Sequence, residues 1–466
     1  MRAARRALLF VACGLLPSGL AAQTDGKPCT VVFTGVTRGG VVVTRATAYT
    51  TPTGGRNTFV GGGVDATCEG QGNRLLADSA EHYTERGELI LIDRVRYSEP
   101  KMSMESDRMI YYTADDHLLA TGKVRGRSAS GTRFTGPQIE YFRVKPGVRD
   151  VPSWRAPGRP VVRMSPTAIE SQPRSAAAAP GNRAAANADS VDLTADLVIS
   201  VNDSLVFAVG KVVIERPDLR ATADSATLDQ GTEFARLMRG PRIVGRGERT
   251  FTLVGTVVDL WSQDRKLRRV RADGEAKVTS DSLTLTGDTI DLRMADQRME
   301  RVFVWGGRAV ADAPSQRLLA DSMDILMPGQ RLREIRALRD AIAFSRVDST
   351  KIISDERDWL AGDTVVARFD TLATADSASG VRMRELQATG AARAFYQLTP
   401  SSGERGAPSL SYNRGRVITV AFDEGEVRDV AVQGKASGLF LEPAPADTVK
   451  PPAGATLPAR NAGRKP

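Results

Sequence analysis

Apolar residues alternate in short runs along most of this chain, and at intervals the alternation slips by one position. In Leu318-Leu319-Ala320-Asp321-Ser322-Met323-Asp324-Ile325-Leu326-Met327, Leu318 and Ala320 share one parity, while Met323, Ile325 and Met327 share the other. In a regular strand that slip would throw half of the apolar set to the wrong face. The pattern therefore predicts a strand with a bulge or bend that returns both halves to one interior. The same corner recurs at Asp78, Asp107, Pro137, Asp196, Asp224, Thr256, Asp288, Asp321 and Asp363, with spacings of 29, 30, 59, 28, 32, 32, 33 and 42 residues.

A second signal keeps step with the first. About 14 to 18 residues after a corner, a run reaches a Gly followed by an outgoing strand, as at Gly122, Gly210, Gly240, Gly274, Gly306 and Gly307, with further examples at Gly390 and Gly434. Polar turns such as Thr113 to Asp116 and Asp229 to Glu233 lie between the two signals. Each repeat thus reads as a strand with a corner, a hairpin turn and a second strand broken at Gly. The chain is predicted to be all-β and antiparallel, built from about ten repeats of roughly 30 residues. Gln330 to Ile342 could pass for a helix, but falls where a second strand belongs and is read as strand. Thr30 to Phe33 and Val41 to Val43 read as edge strands of an opening segment.

Two stretches lack the pattern. Residues 144–190, rich in Pro, Ala, Ser and Arg, read as a disordered insert between a first block of repeats (24–143) and a second (191–442), and residues 443–466 read as a disordered tail. The corner spacing of 59 across the insert is close to two periods. The insert is therefore either a domain boundary or an overgrown loop within one stack.

Composition adds a destination. Arg2, Arg5 and Arg6 precede an apolar run from Ala7 to Leu16 and small residues at Gly19 to Ala22, so residues 1–22 read as an export signal. Cys13 lies in a poor match to a lipidation box. No later run reaches the roughly 20 apolar residues of a spanning helix. After the signal two cysteines remain, Cys29 and Cys68, a possible disulfide in an oxidising compartment. The net charge of +9 divides into +3 on the signal, +4 on residues 144–190 and +3 on the tail, leaving −1 for the repeats. A nucleic-acid-binding face is thereby disfavoured, whereas the basic insert and tail could contact an anionic membrane peripherally.

Catalytic constellations are scarce. Two histidines, His82 and His117, occupy polar positions; there is no phosphate loop and no zinc pair, so no metal, cofactor or catalytic residue is assigned. A catalytic pair of carboxylates would be needed once, but Asp78, Asp107, Asp224, Asp288, Asp321 and Asp363 recur at one repeat position. They are expected to be structural corners whose side chains accept hydrogen bonds from exposed backbone N–H groups. The functional candidate is instead the apolar face, lined by Phe134, Leu193, Phe251, Leu253, Leu283, Leu285, Ile290, Met323, Ile325, Val365 and Phe369. With few aromatics and many small residues, it has room for an acyl chain.

The paired signatures, Ala-Asp-Ser followed by Gly-x-Val at this period, resemble those of the organic-solvent-tolerance (OstA-like) family of periplasmic lipopolysaccharide-transport bridge proteins. The resemblance covers residues 60–143 and 191–441, and is clearest at Leu75 to Tyr83, Ala221 to Leu228, Leu318 to Ile325 and Gly425 to Leu441. It implies an antiparallel β-jellyroll with a half-open apolar groove for lipopolysaccharide acyl chains. It also implies a periplasmic location and stacking on other transport proteins through edge strands. The insert and the number of repeats depart from the family pattern, and no outer-membrane barrel follows. A structural β-repeat scaffold of the envelope, binding protein or glycan partners, is the alternative.

Overall fold

The computed structural model describes residues 31–443, except 40, 69–71, 165–189, 247–249, 282, 372–380, 401–403, 424 and 425. The expected export signal, Cys13, Cys29 and nearly all of the tail lie outside the described residues, as does most of the expected insert. Among the described residues the regular structure is β-strand, apart from one 3-10 turn at Pro328–Gln330, and the strands named below pair antiparallel. Gln330 to Ile342 contributes the end of that turn and then strand Glu334–Ser345.

The chain divides into two compact units, one of Met1–Lys123 with Glu140–Pro152 and one of Val124–Ile139 with Ser153–Pro466. The division falls within the strands His117–Ser128 and Arg133–Phe142, not at the insert. In the first unit, Arg56–Gly61 and Val64–Cys68 pair with Ser79–Tyr83 and Arg74–Ala77. These in turn pair with Glu88–Ser98, and Glu88–Ser98 with Met102–Tyr112. In the second unit the strands from Lys266–Ser280 to Ser409–Asp423 each pair with the next in sequence, a meander, and before them strands interrupted at a bend pair by halves, Phe234–Met238 with Val257–Gln263 and Arg242–Gly245 with Phe251–Val254.

Strands already lie inside the stretch expected to be disordered. Ser153–Pro157 and Val161–Met164 are strands, paired with Leu197–Val201 and Val191–Thr194. Trp154, Ala156, Val162 and Met164 are buried along them. The Pro and Arg content of this stretch conceals an alternating inward set interrupted at Gly158 and Arg159, both left-handed. The missing period is therefore a folded strand pair.

Residue count makes the bend. Val209 and Val212 pair with Ser225 and Ala223, so Gly210 and Lys211 face Asp224 alone. Likewise Gly274 and Glu275 face Asp288, and Gly306 to Arg308 face Asp321. Surplus residues on one strand force it to buckle. Among the described residues, ten such pairs of consecutive left-handed residues interrupt the strands from Asp93/Arg94 to Gly434/Lys435. On the corner strand the slip has the expected effect: Leu318 and Ala320 are buried, as are Met323 and Ile325, while Asp321 is exposed.

The two sequence signals meet in space. The corner residue lies over the Gly of the following strand, where an added Cβ would come 2.6 Å from Asp196 Oδ2 at Gly210 and 2.1 Å from Asp363 Oδ2 at Gly390. The corner aspartates do not serve backbone N–H groups as expected. Corner backbone is satisfied by backbone, with Asp196 N–H donating to Gly210 O at 2.8 Å and Asp224 N–H to Arg239 O at 3.1 Å. Four of the carboxylates turn to arginines: Asp78 meets Arg94 at 2.7 Å, Asp196 meets Arg159 at 3.3 Å, and Asp224 and Asp321 each meet an arginine at 3.6 Å, Arg239 and Arg308.

At Gly390 (φ +77) a Gly→Ala change adds both left-handed strain and a collision with Asp363, whereas at Gly240 (φ +71) an added Cβ meets nothing within 4 Å. Gly240→Ala is expected to cost about 1–3 kcal/mol from strain alone. Gly390→Ala should cost more, and Asp363→Gly in the same chain should restore the excess, measured by urea unfolding.

Candidate functional site

The strand halves on either side of each bend send their apolar residues to one interior. Of the residues assigned to it from sequence, Phe134, Leu193, Phe251, Leu253, Leu285, Ile290, Met323, Ile325 and Val365 are buried, while Leu283 and Phe369 are half-buried. Both halves contribute: Leu285 lies before the corner Asp288, and Ile290 and Leu292 after it. Ala221, Ala272, Ala276, Ala320, Ala337 and Ala388 keep the interior narrow. In the second unit a half-open pocket of about 100 Å³ lies between the apolar Ile214, Leu219, Leu228, Phe234 and Leu260 and the polar Arg216, Glu233 and Arg265 at its mouth.

The strand ends form two rims of turns, and polar side chains tie the rims together. Arg216, in the turn after Leu205–Glu215, pairs with Asp218 at 2.9 Å on its own rim. It reaches the opposite rim to donate to Ser262 Oγ at 3.2 Å and Arg265 O at 3.1 Å. Ser130 N–H donates to Asp203 Oδ2 at 3.1 Å, another tie between turns on opposite rims. Further along, Gln316 Nε2 lies 3.8 Å from Met383 Sδ, a weaker contact across the same gap.

The first unit has a stronger tie. Arg143 donates to Glu99 Oε2 at 2.8 Å and to Asp116 Oδ1 at 2.9 Å, and Tyr141 Oη also donates to Glu99. Tyr97 Oη binds the same carboxylate at 2.8 Å, and Tyr111 Oη donates to Asp116 at 2.6 Å. The Arg143 and Glu99 side chains are only 11% and 7% exposed. Burial opposes the Arg143 cation, but Tyr97, Asp116 and Glu99 outweigh it and hold the guanidinium above its ordinary value. Burial, reinforced by the neighbouring carboxylates, pushes the Tyr97 and Tyr111 phenols up.

None of these ties was assigned from the sequence. Each occurs once, so repeat analysis passes over it. The available signal was an acid or an arginine just past a strand end, as in Arg216-Pro217-Asp218. The histidines are not ordinary surface residues either. His117 stacks between Tyr112 (4.3 Å) and Phe142 (5.2 Å), and His82 packs near Phe33. Burial lowers the pKa of both. Cys68 lies opposite Val31 in the sheet, with its proposed partner Cys29 outside the described residues. Among the described residues no cluster of His, Cys, Asp or Glu is arranged to hold a metal ion. No described helix is long and apolar enough to cross a membrane.

The chain matches no protein-family model. Nor does a search of curated proteins give a significant match.

Arg143→Met should destabilise the first unit by about 3–5 kcal/mol by leaving Glu99 and Asp116 buried without their cation. Adding Glu99→Gln and Asp116→Asn should restore much of that, read by thermal unfolding. A pH effect follows from the histidines. Their folded pKa values lie below the unfolded value of about 6.5, so the unfolded chain takes up protons first as pH falls. Melting of the first unit should therefore drop as pH falls through that window, and His82→Gln with His117→Gln should flatten the dependence.

Proposed function

We propose that the chain is a non-enzymatic lipid carrier of the cell envelope, holding the acyl chains of lipopolysaccharide or a similar lipid between the two halves of its bent sheet. In this reading the repeats form a jellyroll, and separating the rims opens the interior as an apolar groove. The supporting observation is the continuous file of inward apolar residues, contributed by both halves of successive strands and covered at the rims by a few isolated polar ties. Transfer of each methylene of a lipid into such an interior is worth about 0.8 kcal/mol. Equivalent positions repeated along the meander would let a chain shift between sites of similar energy. The exported chain would act in the periplasm or at the outer membrane, alongside other transport proteins that add to its edge strands.

One observation favours a second reading. Most of the interior residues assigned above are almost completely buried, as expected of a sealed scaffold whose partners bind outside. The two readings part in a crosslinking experiment on protein isolated from the envelope. Photo-crosslinkers replacing Phe251 or Leu285, which face inward, are expected to capture an acyl lipid, whereas those replacing outward Thr252 or Thr284 are not. Equal capture from both faces would overturn the carrier reading, and absence of lipid from both would favour the scaffold.

A further inference from the structure

The last strands of the second unit carry a surface that the interior does not use. Cross-strand pairing places Phe344 beside Trp359, Trp359 beside Phe395, Phe395 beside Tyr412, and Tyr412 beside Leu439. Their sequence neighbours Leu360, Ala394 and Ser411 are buried inward, so this aromatic row lies on the outer face, where each ring keeps partial exposure. Trp359 and Phe395 stack with centroids 6.2 Å apart. The row ends at the strand Ser437–Leu441, which among the described residues pairs only along Ser409–Asp423 and exposes Leu439, Phe440 and Leu441 by 56%, 52% and 51%.

Beside the row, Arg393 and Arg414 sit directly opposite each other on neighbouring strands of the same face. Both are exposed, and among the described residues neither has a carboxylate within ion-pair distance. Other outward arginines of this unit are matched across strands, as Arg236 is by Asp259 at 2.7 Å and Arg301 by Asp324 at 2.6 Å. Like charges directly opposite in a sheet are destabilising. An anion supplied from outside would relieve that repulsion. Aromatic rings with an apolar body, exposed aliphatic residues and unmatched arginines in one patch suit the headgroup region of a bilayer, where rings settle at the interface and guanidinium groups meet phosphates.

We propose that this outer face of the C-terminal strands docks on the surface of an anionic phospholipid membrane, with Trp359, Phe395, Tyr412 and Leu439 in the interface and Arg393 and Arg414 on phosphates. This surface is separate from the interior, and its test does not depend on what the interior holds. The full chain is floated with phosphatidylcholine vesicles with and without phosphatidylglycerol. It is expected to float with the anionic vesicles only, and to be released by salt.

Arg393→Gln with Arg414→Gln should weaken that partition about twenty-five-fold, the product of a factor of about five for each basic group at an anionic surface. The melting temperature should not fall, because a repulsion has been removed. A chain ending at Pro443 should still float, since the patch precedes the basic tail. Unchanged binding by the double variant, loss of binding on removing the tail alone, or a dimer formed through Ser437–Leu441 in place of vesicle binding would each overturn the proposal.

Discussion

Where neighbouring strands cross the bend, the one with the left-handed pair carries more residues than its partner, and the sheet can absorb the surplus only by folding. The remaining order follows from that mismatch. A corner residue must lie against the buckled backbone, so the facing position is often Gly. The corner strand must shift parity, so its apolar residues change from Leu318 and Ala320 to Met323 and Ile325. Both halves of every strand then bury against each other. A chain with few aromatics thereby gains a long core from small contributions, each worth about 1.5–3 kcal/mol for a Val, Leu or Ile.

This constraint was largely legible in the sequence where it took the Asp and Gly form. The parity slip and the Gly beyond it are two local consequences of one bend, which is why they kept step. Bulges without Gly were missed. Asp93/Arg94 and Arg339/Asp340 are left-handed all the same, and a residue type that tolerates φ > 0 at some cost leaves a fainter mark than one that adopts it freely. Arg416 was missed as a corner because its length and charge bear no likeness to Asp, although Gly434 lies against it as the other glycines lie against theirs.

The purpose of the corner carboxylate was misjudged for a different reason. Sequence gives a residue's preferences and not what its neighbours have already satisfied. Corner N–H groups such as those of Asp78, Asp196 and Asp224 are taken by carbonyls across the strand pair, which leaves these carboxylates to the arginines of the bulges. The rim ties were hidden in a similar way. Glu99, Asp116 and Arg143 look like ordinary turn residues until folding brings strand ends far apart in sequence into a shared, poorly solvated place. Misreading residues 153–164 came from weighing composition above alternation, since Trp154, Ala156, Val162 and Met164 keep the pattern within a run rich in Pro and Arg.

Because strands in the second unit from Leu205 onward bond to strands within three places of them in sequence, few of their contacts require distant loops to close. Such a sheet can start from any hairpin and lengthen by adding the next, so the entropic cost of assembly is met in small instalments. Its free energy approximates a sum over adjacent strands. Gain or loss of one hairpin pair would therefore change the length of this sheet by a fixed step while leaving every other register as it was. In that sense the chain is a ruler, and its length is a property that selection can set one repeat at a time.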